Sequence, residues 1–215
     1  MQAHLPDPEN YNDPIRFFRD CHGVIENEVK RLERLITEAG EEPNHKKGKC
    51  LLDNPEWHEV IYFFANVTYR HEKDEEDYLF PVLMEKFAKI GFRTPMTTPA
   101  FLVKEHKELG VPAAVIEKAW KEYLRSGTCT EETEQEILVS AKTMVELFKK
   151  HIATENELIY RVANDELLSP EERIIIMEGI REGHSPQVMT PMFDFGKSDF
   201  SSPAMEDIPE EEEGE

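Results

Sequence analysis

The chain reads as an all-α protein, an up-down four-helix bundle followed by a short additional C-terminal helix and an acidic tail. Three observations predict this. Long segments repeat apolar residues at helical spacing, each segment opens on a capping residue usually followed by proline, and no strand-like alternation or dinucleotide-binding glycine motif competes.

Asp13-Pro14 opens the first segment, which runs to about Gly40 with the stripe Phe18, His22, Ile25, Val29, Leu32 and Ile36. Asn54-Pro55 opens the second, to about Ile90, with Trp57, Phe64, His71, Glu75, Tyr78 and Val82. Pro81 is expected to kink or break it. After Thr98-Pro99 comes a third with Leu102, His106, Leu109, Ala113, Ile116, Trp120 and Tyr123, interrupted at Pro112. Thr130 caps the fourth, with Ile137, Met144, Phe148, His151, Glu155, Leu158 and Val162. A short fifth starts at Ser169-Pro170-Glu171-Glu172 and carries Ile174 to Ile176, Met177 and Ile180.

At 215 residues, 39% hydrophobic and 33% charged, the chain suits one domain over 1–184, with a bundle core at about 13–163 and a turn-rich, acidic segment over 185–215. A net charge of -20 repels a phosphate backbone, which excludes nucleic acid as a partner. No apolar run approaches a membrane span and the polar start lacks the regions of a signal peptide, so the expected location is cytoplasmic. Cys21, Cys50 and Cys129 are an odd number without a C-x-x-C pair. They read as free thiols, against a disulfide framework and against thiolate ligation of zinc or iron-sulfur clusters. The stretch Met205 to Glu215 reads as a solvated, disordered tail. Ser185 to Pro203 reads as a segment draped over the bundle, with a peptide for a protein partner as the alternative.

Four histidines stand where apolar residues belong on four separate stripes. Two carry a glutamate one turn on, His71-x-x-x-Glu75 and His151-x-x-x-Glu155, and such an i, i+4 pair points both side chains to one face. In an up-down arrangement the four share a level. His22 lies roughly 25 Å from the end of its helix and His71 roughly 24 Å from the start of the next, while His106 and His151 each lie roughly 30 Å from their common turn. A buried imidazole or carboxylate without a partner is costly, and six such groups satisfy one another most readily around cations. Glu72 could swing in as a further ligand, and Glu76 reads as a supporting or solvated group. Cys21, next to His22, reads as close to the site. His58 lies too far along its helix, and His4, His45 and His184 fall in expected surface loops.

Imidazole with carboxylate and no thiolate suits iron, manganese or zinc. Six groups exceed a closed zinc site and two facing glutamates can bridge a cation pair, so two iron ions fit best. The ferritin-type Glu-x-x-His motif is absent, since Arg19, Thr68, Val103 and Phe148 stand three before the histidines.

With His22, His71-Glu72-Lys73-Asp74-Glu75-Glu76 leading to Leu79-Phe80-Pro81, Glu105-His106, and His151-Ile152-Ala153-Thr154-Glu155 leading to Leu158-Ile159-Tyr160, the chain resembles the hemerythrin-like, or HHE cation-binding, family over Asp13 to Val162. The resemblance implies a four-helix bundle with a non-haem di-iron centre bridged by Glu75, Glu155 and a solvent oxygen, with His22, His71, His106 and His151 divided between the irons. It implies a protein that binds or senses dioxygen, nitric oxide, another small anionic or diatomic ligand, or iron itself. An enzyme of nitrosative or oxidative stress, repairing iron centres or turning over peroxide or nitric oxide, is the alternative. The family's oxygen carriers have two histidines a turn apart on the third helix. Here Leu102 and Gly110 flank His106 at that spacing, one imidazole short.

Overall fold

A computed structural model describes residues 3–41, 50–91 and 98–184. His45 and the expected draped segment and tail lie outside the described residues. Every regular element among the described residues is helical.

Helix α1 spans Pro14–Glu41, and Asp13 caps it by accepting from the Ile15 amide at 2.8 Å. Helix α2 is one run over 55–89, opened by Asn54, which accepts from the Glu56 amide at 3.0 Å. Helix α3 spans Pro99–Ser126 and stops at Gly127, whose positive φ of 68° forms the left-handed cap that glycine takes without strain. Helix α4 begins as Glu131–Thr154 under a Thr130 cap and continues through π-helical segments to 167. Helix α5 spans Pro170–Gly183, with Ser169 and Glu172 forming a reciprocal capping box.

Consecutive helices meet with rising numbers against falling ones. Arg31 pairs with Glu59 and His22 lies beside His71 between α1 and α2, and Trp120 bonds His58 while His106 stacks on Phe80 between α2 and α3. Glu105 meets Lys150 and Glu122 borders a groove with Glu131 between α3 and α4, and Glu33 meets Lys149 while His22 meets Asn156 between α1 and α4.

Two apolar clusters fill the interior. One holds Ile25, Leu32, Trp57, Phe64, Trp120 and Phe148, the other Phe18, Leu79, Phe80, Leu102, Tyr160 and Met177. The four stripe histidines lie between them along every helix, so the site is a polar layer closed above and below by packed hydrocarbon.

Two expected interruptions do not occur. Pro112 is buried inside an unbroken α3. It leaves the Glu108 carbonyl without an amide donor, a cost of about 3 kcal/mol, which burial of Leu109, Ile116 and Trp120 at ~1.5–3 kcal/mol each outweighs. Pro81 likewise breaks nothing, because it falls in the first turn of the α-helical stretch Phe80–Lys89, after a π turn.

The π segments change which residues face inward. Glu75–Leu79 and Glu155–Tyr160 are both π-helical, and each wide turn shifts the helical phase. Leu79 and Phe80 are therefore buried instead of the expected Tyr78 and Val82, and Ile159 and Tyr160 instead of Leu158. On α5, Ile176, Met177 and Ile180 are buried as expected while Ile174 and Ile175 are exposed.

Candidate metal centre

The four histidines and two glutamates converge on one buried layer, all at most 3% exposed. Their ligand atoms form two overlapping groups. His22, His71, Glu75 and Glu155 make one and Glu75, His106, His151 and Glu155 the other, with all atoms of each group within 4.8 Å of one another. Both glutamates belong to both groups. His22 Nε2 lies 3.0 Å and His151 Nε2 3.2 Å from opposite oxygens of Glu155. His106 Nε2 lies 3.4 Å and His71 Nε2 3.7 Å from Glu75 Oε2.

Those approaches are close yet largely unaligned for hydrogen bonding. His22 Nε2, both ring nitrogens of His71, Glu75 Oε2 and both Glu155 oxygens are buried without a hydrogen-bond partner. Orphaned polar atoms of this kind each cost about 1–3 kcal/mol, and here they surround common points. The donor set, imidazoles and carboxylates with both carboxylates common to the two groups, fits a pair of cations.

The opposite edges of the rings are tied down. His22 Nδ1 meets Asn156 Oδ1 at 3.0 Å, His106 Nδ1 meets Glu76 Oε1 at 2.8 Å, and His151 Nδ1 meets Glu105 Oε2 at 3.1 Å. Such partners select the tautomer that leaves Nε2 free for a cation. Tyr160 stacks on His22 and donates its hydroxyl to Glu75 Oε1.

The charge balance is lopsided. Burial opposes charge on His106, but Glu155, Glu75 and Glu76 outweigh it and carry its pKa up to about 12. Burial likewise opposes charge on His151, yet Glu155 and Glu105 raise it to about 10. The two Nε2 atoms lie 3.1 Å apart, a contact holding one proton, and the carboxylates crowding His106 keep that proton there. Burial and the neighbouring His22 push His71 well below its ordinary value. Glu155, buried but facing three histidines, is held far below the carboxylate range, whereas burial and the Glu155 charge raise Glu75.

Glu72 stands outside both groups. It borders a cavity of about 120 Å³ with Phe64, Tyr69, Gly110 and Glu117, and burial raises its pKa to about 7. Of the two residues flanking His106, Gly110 opens onto this cavity and Leu102 is locked in the apolar core. Cys21 is fully buried next to His22, and burial together with the charges of Asp74 and Glu75 pushes its thiol up. His58 is engaged by Leu52 and Trp120, away from the centre. His184 departs from the expected surface loop: it ends α5 and meets Asp74 Oδ2 at 2.5 Å. Sequence reading places Glu105 and Tyr160 in motifs without assigning them a role, and does not single out Asn156. The available signal was their adjacency to His106 and Glu155 and, for Tyr160, the phase shift of a π turn.

No curated protein and no solved structure matches the chain. A family model does, described as the hemerythrin HHE cation binding domain and covering residues 13–163. Those residues contain all six converging side chains and their supporting partners, and the chain belongs to the hemerythrin HHE cation-binding family.

Proposed function

We propose that the chain is an up-down four-helix bundle that holds two iron ions and uses them to bind or sense a small diatomic or anionic ligand, dioxygen or nitric oxide first among them. The observation that carries this reading is the sharing of Glu75 and Glu155 by two otherwise separate pairs of histidines. His22 and His71 would hold one ion and His106 and His151 the other. Iron, when bound, would supply a redox couple and an exchangeable position for the ligand.

The protein's own contribution is support and access. Asn156, Glu76 and Glu105 hold three rings in place, and the apolar layers on either side keep bulk water from the centre. Access is proposed through the cavity at Gly110, where an added Cβ would meet no atom within 4 Å. Glu72, on the wall of that cavity, would be a seventh side chain for the second ion where a second third-helix imidazole is missing.

Azide titration of the iron-loaded protein tests this. Glu72→Ala should change azide affinity, and Gly110→His, which places an imidazole one turn beyond His106 in open space, should weaken azide binding severalfold. Unchanged titrations in both variants would remove the cavity and Glu72 from the reading.

A further inference from the structure

A second set of ligand atoms lies at the far end of the bundle. Cys50 lies in the α1–α2 connection and caps its 3₁₀ turn Leu51–Asp53, its Sγ accepting from the Leu52 amide at 3.3 Å. Cys129 lies in the short α3–α4 connection, and Glu134 is in the first turn of α4. The two sulfurs and a Glu134 carboxylate oxygen all lie within 4.8 Å of one another. Two thiolates on one zinc ion at about 2.3 Å stand roughly 3.8 Å apart, so that spread suits a single cation.

The surroundings favour a positive guest. Glu134 is buried and held by the Leu51 amide at 2.6 Å. Asp53 stands beside the group, accepting from the Cys50 amide at 2.8 Å and from Tyr123 Oη at 2.6 Å. A dication would offset that negative field. Both His58 nitrogens are engaged by Leu52 and Trp120, leaving solvent on the partly buried Cys129 side to complete the set.

We propose that Cys50, Cys129 and Glu134 bind one thiophilic divalent cation of the zinc type, clipping the α1–α2 connection to the α3–α4 connection and the start of α4. Binding exchanges two thiol protons, released to solvent, for two metal–sulfur bonds. The sequence argues against thiolate ligation because three cysteines without a C-x-x-C pair show no local ligand spacing, whereas the fold brings two of them together from distant segments.

Cobalt(II) is the probe, added anaerobically to full-length protein whose His/Glu centre is already iron-loaded. Thiolate ligation gives an intense near-ultraviolet charge-transfer absorption that histidine and carboxylate do not. The expected result is that absorption in the parent and its loss in Cys129→Ser and in Cys50→Ser. Cys129→Ser, at a partly buried position, keeps the test valid if the buried Cys50→Ser fails to fold. No absorption in the parent, or absorption that survives Cys129→Ser, overturns the proposal. So does a count of one free thiol in denatured protein purified without reductant, which would mean that Cys50 and Cys129 form a disulfide instead.

Discussion

Replacing Glu105 with glutamine isolates what a supporting carboxylate does for the centre. Glu105 is nearly buried, with Oε2 3.1 Å from His151 Nδ1 and Oε1 2.7 Å from Lys150 Nζ. Glutamine keeps the shape and an acceptor oxygen but removes the charge that orients His151 and makes its Nε2 a better donor to a cation. Loss of such a partner typically costs 10–100-fold in metal affinity, about 1.4–2.8 kcal/mol. The ion pair with Lys150 cannot account for a loss that size, because Lys150 is 59% exposed and a pair of that kind contributes about 0–1 kcal/mol. Competition for ferrous iron against a chelator of known affinity separates the two. Glu105→Gln should lose tenfold or more, and Lys150→Ala less than about fivefold. Equal losses in both variants, or a Glu105→Gln protein within twofold of the parent, would refute the assignment of Glu105 to His151.

Two further outcomes follow from packing and charge. A Cβ at Gly179 would stand 2.5 Å from Tyr78 Cδ1, so Gly179→Ala should destabilise by about 1–2 kcal/mol, overpacking exceeding the helix-propensity gain. Gly23→Ala, with nothing within 4 Å on an exposed face of α1, should stabilise by about 0.5–1 kcal/mol, and chemical denaturation reversing that order would contradict the packing of α5 on α2. The iron-free protein should lose stability as pH rises. His106, which keeps the one proton shared with His151, has a folded pKa of about 12, above the ordinary 6.5, so its contribution is fully present below 6.5 and is lost as pH climbs toward 12. The melting temperature of apoprotein should fall between pH 7 and pH 9 in consequence, and a rise would contradict the charge assignment.

Much of this was legible because the informative residues act locally. Asp13, Asn54, Thr130 and Ser169 cap helices through their own side chains, so their positions in the chain mark the starts. The two His-x-x-x-Glu pairs are legible for the same reason, a four-residue spacing being a single face of one helix. What required the fold was anything crossing between helices or changing their phase. The π turns at Glu75 and Glu155 rotate Leu79, Phe80, Ile159 and Tyr160 inward, and no 3.6-residue period anticipates them. Glu105 shares a helix with His106 yet serves His151, and His184 reaches back to Asp74, the neighbour of Glu75. Pro112 misleads for the opposite reason, its local cost being overridden by the packing around it.

On the proposed reading, Glu75 and Glu155 are each shared by two cation positions. Protein reconstituted anaerobically with ferrous iron, freed of loosely bound metal and analysed for iron per chain, tests it directly. The expected result is about two irons per chain in the parent and loss of both in Glu75→Ala and in Glu155→Ala, since neither position keeps its carboxylates. One iron per chain in the parent, or unchanged iron in both variants, would contradict it.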